Sequence, residues 1–373
     1  MQAATATRLI DQLRRELDAP ATHAPFRIDA DRYRSDAWLA RERAALFGGP
    51  RIATTSSAVA PGSCHPHDGS VVVRDADGRL RAFANACRHR ATRLVDAPCA
   101  AKALVCPYHG WTYDLAGALI HVPHREAFAG VELDGRGLVP RPVEERHGLV
   151  WLGAGVDAYL GELGPDLAAL GLAGYVPYRT ARITRRCNWK LVIEAFLDGY
   201  HIRILHRDSI YRFFLDAASV TEPVGQHIRA ITGRRAMREA TAGDPRELAT
   251  PSFLVFPATI LIAHPDFVSI ITVRPLAPDL TDYEHLMVIP ADRAGELDHW
   301  ARSWRLIEET VFQNEDLWVC EQAQHGIAAG SDELLFGGLG HAVRWFHDAI
   351  DQAVTTDGSM RTTSAVATPS RRA

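Results

Sequence analysis

The chain has 373 residues, of which 47% are apolar and 23% charged, and its formal net charge is −4. This length predicts two domains with sizeable cores, and the ordinary composition is typical of a globular protein. The slightly acidic balance argues against nucleic-acid binding, which usually requires a basic surface. The most apolar stretch, 253–263, is too short to span a bilayer, and residues 1–20 lack the apolar core of an export signal. We therefore expect a soluble, cytoplasmic protein that binds neither nucleic acid nor membranes.

The N-terminal segment 1–40 is predicted to be a helical arm that packs on the second of the two domains, because Leu9, Ile10, Leu13 and Leu17 recur at helical spacing. From residue 41 to 160, short apolar segments alternate with glycine, proline and aspartate turns, which predicts a small all-β domain. Its clearest strands are expected at 71–74, 80–84, 103–105 and 148–152.

The second domain is predicted over 170–354 and mixes helices with an antiparallel sheet, so the fold class is α+β. We expect a strand at 181–186, a helix at 188–205, further strands at 252–275 and 283–289, one long helix at 294–325 and a last helix ending near residue 353. The tail, 355–373, is rich in Thr, Ser, Pro and Arg and is predicted to be disordered.

Two of the six cysteines lie in motifs that are described next. The other four, Cys64, Cys99, Cys187 and Cys320, have no matching partner motif. Disulfides are rare in a cytosolic protein, and free cysteine usually behaves as a small buried hydrophobe. We expect that role for all four.

Two short motifs fall at expected loop tips of the β domain: Cys87-Arg88-His89 and Cys106-Pro107-Tyr108-His109. Each offers one thiolate and one imidazole, and together they can hold a [2Fe-2S] cluster with cysteines on one iron and histidines on the other. A structural zinc site is the alternative, although zinc fingers usually keep cysteines paired with cysteines and histidines with histidines. The mixed motifs favour the cluster, which would be an electron relay.

A second candidate metal site is Asp198-x-x-His201-x4-His206. Residues five apart on a regular helix point about 140° away from each other. If both histidines share a metal, the helix must unwind or bulge between them, as helices often do at functional sites. Two histidines and a carboxylate would hold non-heme Fe(II) with open positions for O2 and substrate. Ordinary surface histidines on a helix are the alternative.

The segments Cys87-Arg88-His89-Arg90 and Cys106 to Trp111 resemble the Rieske domain of ring-hydroxylating oxygenases, in their alpha (terminal oxygenase) subunit. One departure is Ala91, where that family usually has glycine. The resemblance implies a Rieske domain joined to a catalytic domain of the helix-grip (START-like) type. It also implies that Cys87, His89, Cys106 and His109 bind a [2Fe-2S] cluster.

The same resemblance implies that His201, His206 and Asp316 bind a mononuclear Fe(II). Glu315 remains the alternative third ligand, since neighbouring helical residues point about 100° apart and only one can face the metal. Asp198 is implied to be catalytic, because in the family this aspartate orients the first histidine and reaches a cluster histidine of a neighbouring subunit. That histidine would be His109, and the arrangement implies a homotrimer.

The implied activity is hydroxylation of a small organic substrate, with O2 and with electrons from a separate reductase or ferredoxin. Some relatives that attack quaternary amines carry glutamate around this motif, including one two residues after the first histidine. This chain has Asp198 and Arg203 there, which favours an aromatic substrate. The alternatives are N- or O-demethylation of a methylated amine or ether, and a non-catalytic electron carrier.

Overall fold

The computed structural model describes residues 1–17, 23–239 and 243–363. It separates into two compact units: Gly49–Pro177, which we call the β unit, and Met1–Gly48 together with Tyr178–Ala373, which we call the discontinuous unit. The predicted boundaries were therefore displaced. The segment 41–48 belongs to the discontinuous unit, and the β unit continues past residue 160 to Pro177.

The discontinuous unit begins with helix α1 (Ala3–Glu16), strand β1 (Phe26–Asp29) and helix α2 (Asp36–Leu46). The apolar face of α1 is buried in one core with side chains of the later sheet. This face comprises Leu9, Ile10 and Leu13, which are at most 6% exposed. The periodicity of residues 9–13 thus identified a helix with a buried face.

The β unit is built from short antiparallel strands: β2 (Arg51–Thr55), β3 (Ser63–His67), β4 (Ser70–Arg74), β5 (Leu80–Ala84), β6 (Cys99–Ala100), β7 (Ala103–Val105), β8 (Thr112–Asp114), β9 (Leu119–His121), β10 (Pro140–Arg141), β11 (Val143–Arg146) and β12 (Leu149–Leu152). They form three sheets, in the orders β10-β5-β4-β3-β6, β11-β12-β2 and β7-β8-β9. Helices α3 (Val156–Leu160) and α4 (Gly164–Ala168) follow. The predicted all-β architecture is confirmed.

Strand β4 explains why its sequence is a continuous run of valines. Val71 and Val73 belong to one hydrophobic core, which also contains Cys87 and Cys106, whereas Val72 belongs to another. Successive side chains of a strand point to opposite faces, so both faces of β4 are covered and no polar position is needed. The strand thereby supports the core beneath both cysteine motifs.

Three of the four cysteines outside the motifs, Cys64, Cys187 and Cys320, are buried as predicted. Cys99 is exposed, so the prediction was wrong for this residue. Cys64 and Cys99 are directly paired between β3 and β6. The sequence could not reveal this contact because it depends on the register of two strands that are far apart in the chain.

The later part of the discontinuous unit contains a seven-stranded antiparallel sheet in the order β13-β19-β18-β17-β16-β15-β14. Its strands are β13 (Tyr175–Arg185), β14 (Phe214–Val224), β15 (His227–Arg234), β16 (Ala249–Val255), β17 (Thr259–Ala263), β18 (Val268–Ala277) and β19 (Leu280–Pro290). The antiparallel sheet predicted from the residues between 252 and 289 is therefore confirmed. Three of its strands come earlier in the chain: β13, which contains most of the strand expected at 181–186, and β14 and β15, which were not predicted.

The helices of this unit are α5 (Trp189–Leu197), α6 (Ile202–Leu205), α7 (Pro245–Leu248), α8 (Leu297–Trp304), a π-helix (Arg305–Asp316), α9 (Leu317–Ala328) and α10 (His341–Thr363). Strand β20 (Glu333–Phe336) pairs with β1. Single 3-10 turns occupy Ala30–Tyr33, Ser56–Ala58, Arg125–Phe128, Gly161–Leu163, Leu172–Gly174, Tyr211–Phe213, Arg235–Arg238 and Ala291–Arg293. Among the described residues, no helix is both long and apolar enough to cross a bilayer.

Two predictions about the last helices need correction. The single helix expected at 294–325 is three consecutive segments, because the hydrogen-bond pattern changes to the π type over Arg305–Asp316. The last helix continues past residue 353 to Thr363, so the predicted tail does not begin at residue 355. Residues 364–373 lie outside the described residues.

Helix α5 is anchored to the N-terminal segment through buried polar groups. The Lys190 ammonium donates to Glu42 at 2.8 Å, and the Trp189 indole N–H donates to the other oxygen of Glu42 at 2.9 Å. Lys190 and Glu42 are at most 1% exposed. Burial lowers the pKa of Lys190, and Glu42 opposes that shift. A buried ion is costly without its counter-ion, so α2 and α5 depend on each other.

Candidate metal centres

The four predicted cluster residues of the β unit lie together at two loops. The thiols of Cys87 and Cys106 interact with each other and are at most 3% exposed. The rings of His89 and His109 have centroids 4.6 Å apart. His89 is half-buried and His109 is exposed. The cysteines are thus buried in the core, while the histidines are nearer the surface.

The two loops repeat one hydrogen-bond pattern. The N–H of Cys87 donates to Thr92 O at 2.8 Å, and the carbonyl of Cys87 accepts from Ala91 N at 2.9 Å. In the second loop, Cys106 N donates to Trp111 O at 2.8 Å and its carbonyl accepts from Gly110 N at 3.0 Å. Both loops therefore present a cysteine and a histidine from the same backbone turn.

This turn requires a left-handed residue four positions after each cysteine. Gly110 has φ +71° and Ala91 has φ +58°. Glycine adopts this region freely, but an L side chain does so at a cost of about 1 kcal/mol. The alanine that departs from the family pattern therefore occupies the required conformation without the residue best suited to it.

The chemistry of the donor set fits a two-iron cluster. His89 Nδ1 is buried and has no hydrogen-bond partner among the described residues. Burial, His109 and Arg90 lower the pKa of His89, a shift in the direction of the neutral ring that binds metals. The His89 ring is also fixed, because it stacks on Trp111 with centroids 5.0 Å apart. Two thiols and two imidazoles, each kind paired with its own, match the ligands of a Rieske cluster.

The second site brings together His201, His206 and Asp316. The Nε2 atoms of the histidines are 3.1 Å apart, and Asp316 Oδ1 lies 3.4 Å from His201 Nε2 and 3.1 Å from His206 Nε2. Among the described residues, these three form the only group of three or more potential metal ligands found within 4.8 Å of one another. Two ligands at right angles around a metal, with bonds of roughly 2.1 Å, would be about 3 Å apart.

The chain reaches this arrangement by ending α5 early. Asp198 is extended, with φ −101° and ψ 118°, and its Oδ1 accepts the N–H of Tyr200 at 2.8 Å. Gly199 follows, where a Cβ would lie 2.9 Å from Ser219 Oγ on β14. The break expected between the two histidines lies instead before His201, and α6 is regular between them. His206 then leaves helical geometry, with φ −97° and ψ 19°.

Asp316 reaches the histidines from the end of the π-helix. Its neighbour Glu315 does not join the group. The Glu315 carboxylate instead accepts hydrogen bonds from His206 Nδ1 and from Ser209 Oγ, each at 2.7 Å. Glu315, which was the alternative third ligand, is therefore placed to hold the His206 ring with Nε2 toward Asp316. The only sequence feature that could have indicated this role of Glu315 is its position next to Asp316.

The Asp316 carboxylate fits a metal better than it fits the protein alone. Asp316 is 4% exposed, and its Oδ1 has no hydrogen bond of acceptable geometry among the described residues. Burial raises the pKa of Asp316, but the two histidines outweigh burial and the net shift is downward. A buried, ionised oxygen aimed at two imidazole nitrogens is a two-histidine, one-carboxylate face, which is typical of non-heme Fe(II).

Asp198 lies on the other side of His201. Its Oδ2 is 3.6 Å from His201 Nδ1, which is an ion-pair distance rather than a hydrogen bond. Burial lowers the pKa of His201, but Asp198 and Asp316 outweigh burial. The net result is a pKa of about 10. Asp198 is about one-third exposed, so it is accessible from outside as well as close to the first histidine.

A cavity of about 440 Å³ opens onto the three candidate ligands within the discontinuous unit. Its walls are mostly apolar, and five phenylalanines contribute to them: Phe196, Phe213, Phe214, Phe267 and Phe312. Several polar side chains, including Arg234, Thr250 and Asp266, also line it. A volume of this size suits a small organic substrate.

Comparison with known proteins assigns both units to described families. Residues 55–135 match the Rieske [2Fe-2S] domain, and residues 172–356 match the catalytic domain of the ring hydroxylating alpha subunit. The carnitine monooxygenase oxygenase subunit of Escherichia coli K12 is 26% identical over 310 residues, covering 76% of this chain and 80% of its own. The alpha subunit of biphenyl 2,3-dioxygenase from Rhodococcus jostii is 36% identical over 152 residues, 36% of this chain and 32% of its own.

The fold has a similar counterpart among solved structures. A crystal structure of a quaternary ammonium Rieske monooxygenase in complex with an inhibitor has a TM-score of 0.77 at 19% identity. A second structure of a quaternary ammonium Rieske monooxygenase has a TM-score of 0.76 at 18% identity. These two structures cover 90% of this chain, and 97% of their own chains is covered. The α+β architecture, with a Rieske domain and an antiparallel-sheet catalytic domain, is confirmed.

Fold, sites and family matches together define a terminal oxygenase. The chain belongs to the Rieske non-heme iron oxygenases, as an alpha subunit. Its cofactors are a Rieske [2Fe-2S] cluster and a mononuclear non-heme iron, and it is an oxidoreductase that acts on small molecules with O2 and a partner reductase. The alternative of a non-catalytic electron carrier is thereby set aside.

Proposed function

We propose that this oxygenase hydroxylates a carbon atom bonded to the nitrogen of a methylated amine, with a quaternary ammonium as the preferred group. One observation carries the proposal. The match to the carnitine monooxygenase subunit extends over 76% of the chain, whereas the match to the biphenyl dioxygenase subunit covers 36%. The wider match must include much of the discontinuous unit, where the cavity lies. The methylated-amine alternative is therefore favoured over the aromatic substrate.

The cavity walls support this choice. A quaternary ammonium has no N–H to donate, so proteins recognise it with aromatic faces. Phe196 and Phe312 pack edge to face, with centroids 5.1 Å apart, and both line the cavity. Apolar walls also exclude water from the reacting carbon.

The reaction balances with the electrons that a reductase supplies. One oxygen atom of O2 enters the C–H bond to give an alcohol, while two electrons and two protons convert the other into water. The alcohol on a carbon next to nitrogen then breaks its C–N bond, releasing an amine and an aldehyde. His201, His206 and Asp316 would hold the iron, which supplies the activation of O2 when bound.

The remaining residues are proposed to deliver electrons. Cys87, His89, Cys106 and His109 would hold the cluster, with His109 at the surface. Asp198 would orient His201 and contact the partner's His109 in a homotrimer, so that electrons pass between chains. The partial exposure of Asp198 and the exposure of His109 support this arrangement. We also place the enzyme in the cytoplasm, where a reductase can draw on nicotinamide pools.

Aromatic hydroxylation is the second candidate. It is supported by Asp198 and Arg203, which stand where some relatives acting on quaternary amines carry glutamate. The local identity of 36% to the biphenyl dioxygenase subunit agrees with it. The same phenylalanines could contact an aromatic ring.

One experiment separates the two candidates. The holoenzyme, with a surrogate reductase and NADH, is supplied with trimethylammonium compounds and with simple aromatic hydrocarbons and acids. We expect O2 uptake with one equivalent of aldehyde from the trimethylammonium compounds. Diol or phenol from the aromatic set, with no aldehyde from the amines, would overturn the proposal in favour of the second candidate.

A further inference from the structure

One arginine in the cavity wall, Arg234, has no carboxylate partner among the residues that the structure describes. The guanidinium of Arg234, at the end of β15, donates a long hydrogen bond of 3.3 Å to Thr250 Oγ1. It lies over the rings of Phe213 and Phe214, 5.7 and 5.4 Å from their centroids. In the part of the chain that the structure describes, no carboxylate oxygen lies within 4.0 Å of this guanidinium. Most of its donor capacity is therefore unused.

Asp266, the acidic residue of the cavity lining whose charge acts on Arg234, is already engaged. Asp266 Oδ2 lies 2.5 Å from His299 Nε2 and 3.8 Å from Arg293 Nη1. It reaches Arg234 only as a longer-range charge: burial lowers the pKa of Arg234, and Asp266 and Glu247 act in the opposite direction. A partly buried cation without an adjacent anion offers a ready site for one.

We propose that Arg234 binds an anionic group of the substrate, and that this group is a carboxylate. The planar guanidinium can donate two parallel hydrogen bonds to a carboxylate, which gives orientation as well as attraction. The inference rests on the proposed function for the nitrogen end of the molecule. The substrate is then a zwitterion. Its methylated nitrogen lies near Phe196, Phe312 and the iron site, and its carboxylate binds Arg234.

The test measures binding to the anaerobic holoenzyme by titration calorimetry, and turnover separately by aldehyde release. The two ligands are 4-(trimethylammonio)butanoate and butyltrimethylammonium, which differ by the carboxylate. We expect the wild type to bind the carboxylate compound more tightly by roughly ten- to hundredfold, the range for a hydrogen bond to a charged group. Arg234→Met should remove this difference, and Arg234→Lys should retain part of it.

The matched control is Arg238→Met, because Arg238 is an exposed arginine that does not line the cavity. Equal wild-type affinity for the two ligands, or an equal loss for both in Arg234→Met, would overturn the subsite. Aldehyde formation from both ligands in that case would leave the proposed function standing. Carboxylate-dependent binding with no aldehyde would support the subsite and contradict the proposed function.

A second observation concerns the β unit. Cys64 and Cys99 face each other in the β3–β6 pairing, with their Sγ atoms 3.2 Å apart. Cys99 is exposed and Cys64 is buried. Directly opposed residues of antiparallel strands are close enough for a disulfide. Burial and the neighbouring Cys99 raise the pKa of Cys64 to about 12, so the exposed thiol is the one that reacts first.

We infer that Cys64 and Cys99 form a reversible redox pair whose oxidant is a peroxide. The Cys99 thiolate attacks one peroxide oxygen, so an S–O bond forms, the O–O bond breaks and hydroxide leaves. The sulfur of Cys64 then attacks the resulting sulfenic acid, an S–S bond forms and the oxygen leaves as water. Two thiols lose two electrons, and hydrogen peroxide becomes two waters.

The holoenzyme is treated with equimolar hydrogen peroxide, alkylated, digested without reductant and analysed by mass spectrometry, while cluster absorption is followed. We expect one cross-linked peptide pair containing Cys64 and Cys99, reversed by dithiothreitol, with the cluster intact. Cys99→Ala should abolish the cross-link, and Cys320→Ala, which removes a buried thiol elsewhere, should not. Sulfinic acid at Cys99 with Cys64 still free, or no oxidation at either residue, would overturn the inference.

Discussion

The two metal centres of this chain are assembled in different ways. The cluster loops lie between residues 87 and 111, and each is one turn of backbone that offers a cysteine and a histidine. The proposed iron site instead joins an interrupted helix at residues 198–206 to the end of a π-helix at Asp316. A local motif carries its own geometry, whereas a site built from distant segments depends on the packing that brings them together.

The sharpest way to separate the two centres is to remove the distant ligand. We expect Asp316→Asn to reduce the iron content from about three to about two per chain and turnover to below about 1% of wild type, because the ligand face loses its charge. Cluster absorption should persist. The control is Glu309→Gln on the exposed side of the same π-helix. Loss of the cluster together with the third iron would contradict the independence of the centres.

The link between the centres is tested at Asp198. We expect Asp198→Asn to keep all three irons and a reducible cluster, but to slow single-turnover oxidation of the reduced cluster about 100-fold, since the group that orients His201 is altered. Stopped-flow absorption with substrate and O2 gives this rate. Asp208→Asn, at an exposed aspartate nearby, should behave as wild type. An unchanged rate in Asp198→Asn would mean that electrons take another path.

The support beneath the iron site is tested at Glu315. Glu315→Gln should weaken Fe(II) binding roughly 10- to 100-fold, because the hydrogen bond that fixes the His206 ring loses its charge. Reconstitution of iron-depleted protein at limiting Fe(II) measures this affinity. We expect Glu309→Gln to reconstitute normally. Equal affinities in the two variants would show that the Glu315 contact is structural only.

The smallest effect is expected in the local centre, at Ala91. Ala91→Gly should stabilise the loop by about 1 kcal/mol, since glycine adopts a φ of +58° without strain. The midpoint of thermal cluster loss should rise by roughly 1–3 °C. Ala86→Gly, in the same region but outside the positive-φ positions, should lower the midpoint instead. A lower midpoint in both variants would show that the methyl group of Ala91 makes contacts whose stabilisation exceeds the cost of its backbone strain.

The sequence predicted the locally built centre more completely than the centre that is built from distant segments. The four proposed cluster residues could be placed together from two motifs, because the hydrogen bonds that shape each loop join residues four and five apart. The two histidines of the proposed iron site could be named too. The position of the helix break could not, because it depends on the close approach of Gly199 to Ser219 on β14. The periodicity of apolar residues does not predict this contact.

The acidic pair shows the limit most clearly. Asp316 and Glu315 are adjacent, and the sequence left open which of them would face the histidines. The π-helix that sets their orientation has the same apolar residues as an α-helix, so its pattern predicts an ordinary helix over 294–325. The register between β3 and β6, which pairs Cys64 with Cys99, was hidden for a similar reason.

The interrupted course of the discontinuous unit has a consequence for synthesis. As the chain leaves the ribosome, residues 49–177 emerge as a complete unit while α1 and α2 still lack most of their partners. Glu42, which is 1% exposed in the folded chain, gains its buried counter-ion only once Lys190 has been translated. Residues 1–48 can therefore pack against their partners only after the residues from 178 onward have been synthesised.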